Sequence, residues 1–359
     1  MNEVEIVDPQ KHLVRVGAGA TWGKVAKELQ THQLALSSGD TTTVGVGGLT
    51  VGGGIGWMVR KYGLTIDSLT EAEIVLADGT ILHTSANENP DLFWAIRGGG
   101  GNFGVVTHFT FAAHPVSKVW AGTIAYKLDT LTDVLRGWRD HMRMVTEDLT
   151  TMFLVMPAFG DNPPAAMILC CFAGDDETAA MDAINPLLRL GTVVKQDIRK
   201  KNYSEVLEEG FAPPGIRIVV NNGFVKVFSN ELIQAIVAES DKQAGMILQI
   251  RSVGGAMNRI APDATAFAHR DSEALLVMPC FVPAQASDSD IHNAMGQWQS
   301  IAPFTSGAYV NFFDPATGQN PSMVYPDATY KRLATIKKKF DPHNTLNRNF
   351  NIPPTAAHV

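Results

Sequence analysis

At 359 residues and 45% hydrophobic content, the chain carries enough apolar material for a large core and for more than one structural unit. Its 29 Lys and Arg are scattered among 36 Asp and Glu for a net charge of -7, which excludes the basic stripe that nucleic acid or an anionic membrane surface requires. No apolar run approaches the ~18–20 residues of a bilayer span, and Met1-Asn2-Glu3-Val4-Glu5 has neither region of a secretory signal, so a cytoplasmic protein with a small-molecule partner is expected.

Leu13-Val14-Arg15-Val16 reads as a strand, and Trp22, Val25 and Leu29 then recur on one face of a helix. Glu73 to Leu76 and Thr80 to His83 flank Asp78-Gly79, a dipeptide suited to the positive φ angles of a hairpin turn. A short helix over Pro90 to Arg97 runs into consecutive glycines, after which Val106, Phe109 and Phe111 belong to a β-rich stretch ending at His114-Pro115. That proline closes a first domain, 1–115. From 116 to 307, strands over Thr151 to Pro157, Ala166 to Phe172 and Leu275 to Val282 alternate with helices over Thr130 to Val145, Asp176 to Leu188, Asn230 to Asp241 and Asp288 to Ile301. Helices covering one face of a sheet would give that order. The last segment, 308–359, starts a helix at Pro326-Asp327, places Tyr330, Leu333, Ile336 and Phe340 on one stripe, and stops it at Asp341-Pro342. Cys170, Cys171 and Cys280 lack metal spacing and read as buried packing residues.

Two glycine clusters, Gly45 to Gly56 and Gly98 to Gly104, stand out. Glycine lets backbone N–H groups approach a ligand with no Cβ in the way, which suits a pyrophosphate or a flat ring, although tight turns alone also use it. Gly99-x-Gly101-x-x-Gly104 matches the dinucleotide fingerprint as a string, but that fingerprint follows a strand and opens a helix, whereas here a helix precedes and a strand follows. A nicotinamide-binding domain is therefore the weaker reading.

TVGVGGLTVGGGIGWMVRKYGLTIDSL, Thr43 to Leu69, and DLFWAIRGGGGNFGVVT, Asp91 to Thr107, resemble the two flavin-contacting segments of berberine-bridge-enzyme-like FAD-linked oxidases. Tyr330 to Pro354 resembles that family's closing helix and its Asn-x-Asn-Ile ending, here Asn349, Asn351 and Ile352. The resemblance implies an α+β protein of the vanillyl-alcohol-oxidase, PCMH-type FAD-binding fold: a flavin domain completed by the C-terminal tail, and a substrate domain with an antiparallel sheet backed by helices. It also implies a FAD that accepts a hydride at N5 from an alcohol, sugar or similar carbon and passes electrons to oxygen, the protein orienting and tuning that chemistry. By the same resemblance, Thr43, Val44, Gly45, Gly47, Gly48, Gly53, Gly54, Gly56, Gly104, Val105, Val106, Asn349 and Asn351 would contact the cofactor, with Val44 where the family sets oxygen access.

The sequence also departs from the family. No Gly-Gly-His or Gly-His-Ser string precedes Val14, so the first part of the flavin domain, with its flavin-bonded histidine, is expected to be missing, and His12 and His32 read as solvated loop residues. The position of a second, cysteinyl attachment is Thr41, so any FAD is expected to be held non-covalently. The tyrosine that many members use as a base corresponds to Phe312, and its helper to Ile55; neither moves a proton. Tyr309 is the replacement candidate, with burial in the core as its ordinary alternative; His269 with Arg270 is a second, with a surface ion pair as its alternative. An FAD-free remnant of the family with at most a binding role is the competing reading.

Overall fold

The structure, a computed structural model, describes residues 1–158, 164–210, 214–242, 246–312, 314, 320–348 and 350–355. Five strands form the first sheet: β1 (Val4–Asp8), β2 (Leu13–Gly17), β3 (Leu69–Val75), β4 (Ile81–Ser85) and β5 (Val105–Ala112), in the order β1-β2-β5-β3-β4 with every neighbour antiparallel. Alternation sets its inner face, since Val14, Val16, Phe109 and Phe111 are fully buried. The helix Trp22–Thr31 packs there through Trp22, Val25 and Leu29, with the Trp22 ring 5.9 Å from Phe111. Gly79, at φ +88°, turns β3 into β4 as the Asp-Gly pair predicts.

The second sheet has seven strands, β6 (Lys118–Tyr126), β7 (Leu149–Met156), β8 (Ala165–Phe172), β9 (Val193–Asn202), β10 (Ile216–Val225), β11 (Leu248–Ser252) and β12 (Ala274–Pro283). They run β10-β12-β11-β7-β8-β6-β9, again antiparallel throughout. Its strands send alternate side chains to two different cores. On β12, Ala274, Leu276 and Met278 join the helices Leu131–Met144, Glu177–Ile184 and Asn230–Ser240, while Leu275 and Val277 face Phe224, Phe267 and Tyr309. The helix expected over Asp288 to Ile301 is broken: it ends at Ala294 and resumes over Trp298–Ile301, with Gly296 in the gap. His114-Pro115 lies between β5 and β6, so the two sheets belong to chain segments on either side of it. No helix among the described residues is long and apolar enough to cross a membrane.

The two layers are fastened by buried polar contacts. Arg270 makes a two-pronged pair with Asp67, at 2.7 and 2.8 Å, with side chains 1% and 5% exposed. This corrects the surface ion pair expected for FAHRD: Arg270 is interior because its partner comes from the other layer. His269 is interior as well, stacked on Phe224 at 4.9 Å with Nε2 2.8 Å from Val324 O, and burial holds its pKa below the usual imidazole value. It is a neutral packing histidine. Cys170 and Cys171 are buried free thiols within β8.

Candidate cofactor and substrate clefts

The glycine-rich loop is zipped to the start of the first helix by backbone bonds: Trp22 N to Val44 O at 2.9 Å, Val46 N to Ala20 O at 2.9 Å, and Gly47 N to Ala18 O at 3.0 Å. Opposite it, the turn Gly100–Asn102 is fixed to the C-terminal helix, Asp327–Phe340, by one buried side chain. Lys337 Nζ donates to Asn102 O, Asp341 Oδ2 and Leu346 O, each at 2.7 Å, and Ile352 N donates to Asn102 Oδ1 at 3.0 Å. Loop, turn and tail together bound a cleft of about 760 Å³, within the size range of small-molecule sites.

Of the residues the sequence selected for the cofactor, Gly47, Gly48, Gly104, Val105 and Val106 line this cleft. Thr43, Val44 and Gly45 are exposed on the same loop but outside the lining. Asn351 is half-buried beside it, and Asn349 lies outside the described residues. The glycines divide into two kinds. A Cβ on Gly45, Gly48 or Gly101 would meet nothing within 4 Å, so their open faces are free for a ligand. Gly53, Gly54 and Gly56, also expected at the cofactor, are not among the lining residues and have a packing reason to be glycine: a Cβ would lie 3.0 Å from Phe267, 2.1 Å from Thr65 Oγ1 and 1.2 Å from Ser38 O. Gly53 and Gly54 also hold φ of +128° and +81°, angles that favour glycine with or without a ligand.

Tyr309 fits its ordinary alternative, not the base. It is 3% exposed, and its hydroxyl accepts hydrogen bonds from Gly54 N and Asn311 Nδ2, both at 2.8 Å. Burial pushes its pKa up to about 12. The ring props the Gly53-Gly54 turn from below and stays protonated.

The cleft fits an extended flavin dinucleotide. Its walls include open glycine backbone at Gly48 and Gly101, and the apolar side chain of Val105 is 56% exposed there. An uncovered valine beside open glycine backbone is what a flat, partly polar ring would cover.

A second cleft, about 280 Å³, lies on the sheet face beyond the short turn Val310–Phe312. Val310 and Asn311 line the cofactor cleft and Phe312 lines this one, so the turn is a shared wall. Asp40 and Arg251 pair here at 2.6 Å, Arg251 Nη2 donates to Gln249 Oε1 at 2.9 Å, and the guanidinium lies 5.2 Å from the Phe312 ring centre. Burial alone would raise the pKa of Asp40, but Arg251, with the Thr41 hydroxyl at 3.0 Å, holds it below the ordinary carboxylate value. Sequence reading missed both residues. Nothing local marks an Asp and an Arg 211 positions apart as partners.

The comparisons with known proteins agree with this architecture. The FAD binding domain family matches residues 1–85, and the family described as berberine and berberine like matches 308–353. An uncharacterized FAD-linked oxidoreductase of Bacillus subtilis (strain 168) is 31% identical over 97% of this chain and 79% of its own length. An FAD-linked oxidoreductase of Dictyostelium discoideum is 30% identical, over 97% and 77%. Among solved structures, a chitooligosaccharide oxidase superposes with a TM-score of 0.85 at 25% identity, covering 99% of this chain and 81% of that one. A 6-hydroxy-D-nicotine oxidase from Arthrobacter nicotinovorans does so at 0.84 and 27%, with 99% and 81% covered.

The chain belongs to the berberine-bridge-enzyme-like family of FAD-linked oxidases and has its PCMH-type FAD-binding fold. It is an FAD-linked oxidoreductase, and a match running along nearly the whole chain speaks against a remnant without that chemistry.

Proposed function

We propose that this chain oxidises a carbon bearing a hydroxyl group on a small polar molecule, held in the sheet-face cleft, with oxygen as the final electron acceptor. The observation that carries the reading is the shared wall: one three-residue turn, Val310–Phe312, separates a cleft fitted to a flavin from a cleft lined by both polar and apolar side chains. FAD, when bound, supplies the hydride acceptor and the route of electrons to oxygen. Its binding to this chain is taken as non-covalent: among the described residues no histidine or cysteine lines the cofactor cleft, and Thr41 has no thiol. Gly47, Gly48 and Gly101 would present backbone to it, Val105 and Val106 an apolar face, and Asn351 a polar edge. Val44, 36% exposed on the loop between Thr41 and Gly47, carries a modest side chain at the position where, by the family resemblance, oxygen access is set.

The hydroxyl proton needs an acceptor, and Phe312 and Tyr309 do not provide one. Asp40 does: it is a carboxylate on the substrate side, ionised at neutral pH because of Arg251, and a proton taken there can leave through the open cleft. Arg251 and Gln249 orient the substrate's oxygens, while Trp57 and Phe312 supply apolar surface. The similarity to a chitooligosaccharide oxidase favours a sugar or other polyol as the first class to try. Anaerobic mixing of the FAD-loaded chain with a panel of oligosaccharides and other alcohols tests this by bleaching of the flavin band. Asp40→Asn is expected to slow the bleaching by roughly 10²-fold or more while leaving the flavin spectrum intact. An unchanged rate would remove Asp40 from the mechanism.

A further inference from the structure

Arg60 is a buried cation without a counter-charge in contact. The residue is 7% exposed, no carboxylate among the described residues lies within 4.0 Å of it, and its Nε has no hydrogen-bond partner. Its terminal nitrogens donate only to Val253 O and Val145 O, both at a long 3.3 Å, so three of five N–H donors are unused. Glu147, the nearest acid by its effect on Arg60, is taken by Arg259. Next to Arg60, Gly254 is buried at φ +106°, and its N–H finds no acceptor among the described residues. A Cβ on Gly254 would stand 3.7 Å from Arg60 Nη1 and 4.0 Å from Asn258 Nδ2, so the space over this glycine is rimmed by donors.

Buried N–H groups in native proteins are nearly always satisfied, by protein, water or an ion. These donors open on a cavity of about 230 Å³ whose other walls include Trp138, Met142 and Phe228, and which shares no lining residue with the cofactor cleft. Two further arginines and two glutamates also line it, and these are paired: Arg143 with Glu273 at 2.8 Å, Arg139 with Asp140 at 2.7 Å, and Glu147 with Arg259. One positive charge, that of Arg60, is left over.

We propose that this cavity binds a small organic monoanion: a carboxylate on an aromatic or branched aliphatic group, its oxygens on Arg60 and the Gly254 N–H, its apolar part against Trp138, Met142 and Phe228. The occupant touches both segments that lead to the substrate side. Arg60 lies three residues after Trp57, in the short helix Val59–Tyr62, and Val253 and Gly254 follow Arg251 on leaving β11.

Isothermal titration of the full chain with benzoate, at ionic strength held constant with chloride, tests the site without cofactor or substrate, so its outcome is independent of the oxidase reading. One saturable site is expected, with benzamide, which keeps the ring and loses the charge, binding at least about tenfold more weakly. Asn258→Asp, at an exposed position on the rim of the cavity, adds a negative charge there in place of an amide that donates to Ser272 O; it should weaken benzoate binding at least about tenfold. Absence of saturable heat, equal binding of benzamide, or undiminished benzoate binding by Asn258→Asp would each overturn the proposal.

Discussion

Replacing Lys337 by Met asks whether the tail and the glycine turn are held as one wall of the cofactor cleft. Lys337 is 0% exposed, and its three acceptors, Asn102 O, Asp341 Oδ2 and Leu346 O, satisfy all three ammonium donors at 2.7 Å. Methionine keeps length and helix propensity but leaves Asp341, 1% exposed, with only the N–H groups of Thr345 and Leu346. Removing one member of a buried ion pair costs about 3–5 kcal/mol, a large part of the ~5–15 kcal/mol that holds a domain together. Adding Asp341→Asn should return part of this loss, because the stranded charge goes while an acceptor remains. Thermal unfolding followed by tryptophan fluorescence gives the stability change. FAD titration gives the local one, and affinity should fall in the single variant because Asn102 and Leu346 both line the cleft. A Lys337→Met protein within ~0.5 kcal/mol of wild type, the range of an ordinary surface change, with unchanged FAD affinity, would refute the reasoning.

Burial, followed by the positive charges of Lys61 and His12, pushes His114 down to about 4 from 6.5. The unfolded chain therefore binds a proton between those values that the folded one does not. This histidine's contribution is complete above pH 6.5 and is lost as pH falls towards 4, so a stability–pH curve for His114→Phe should be flatter than wild type in that window; parallel curves would contradict it. Gly48→Ala should leave the fold within about 1 kcal/mol, since nothing occupies its open face, yet weaken FAD binding, whereas Gly56→Ala drives a methyl into Ser38 O and should fail to fold. Equal behaviour of the two variants in melting and FAD titration would undo the division of the glycines. Tyr309→Phe strands the donors of Gly54 and Asn311 and should cost about 1–3 kcal/mol while leaving flavin bleaching largely unchanged; loss of bleaching at full stability would restore Tyr309 as a base.

Elements with a strong local signal were legible in the sequence. Val14 and Val16, the Asp78-Gly79 turn and the Trp22, Val25, Leu29 stripe each carry their own period or turn chemistry. β9 had none to show: as the outer strand of its sheet it is largely solvated on both sides, and KQDIRKK has charged residues where alternation would be sought. The site was legible as glycine but not as geometry. Gly48 and Gly56 look alike in the sequence, and what separates them is Ser38, 18 positions upstream, folded against one and not the other. Asp40 and Arg251 were invisible for the same reason, since their pairing exists only once β11 lies beside the loop that carries Asp40.

The cleft between loop, turn and tail is proposed to hold FAD, and to hold it without a covalent bond. The most direct test is the visible absorbance spectrum of the purified chain after incubation with FAD and removal of excess, recorded before and after acid precipitation. A protein-bound flavin spectrum is expected, with the colour passing wholly to the supernatant on precipitation. A protein that retains no flavin would contradict the claim of binding, and colour that stays in the pellet would contradict the claim of a non-covalent cofactor.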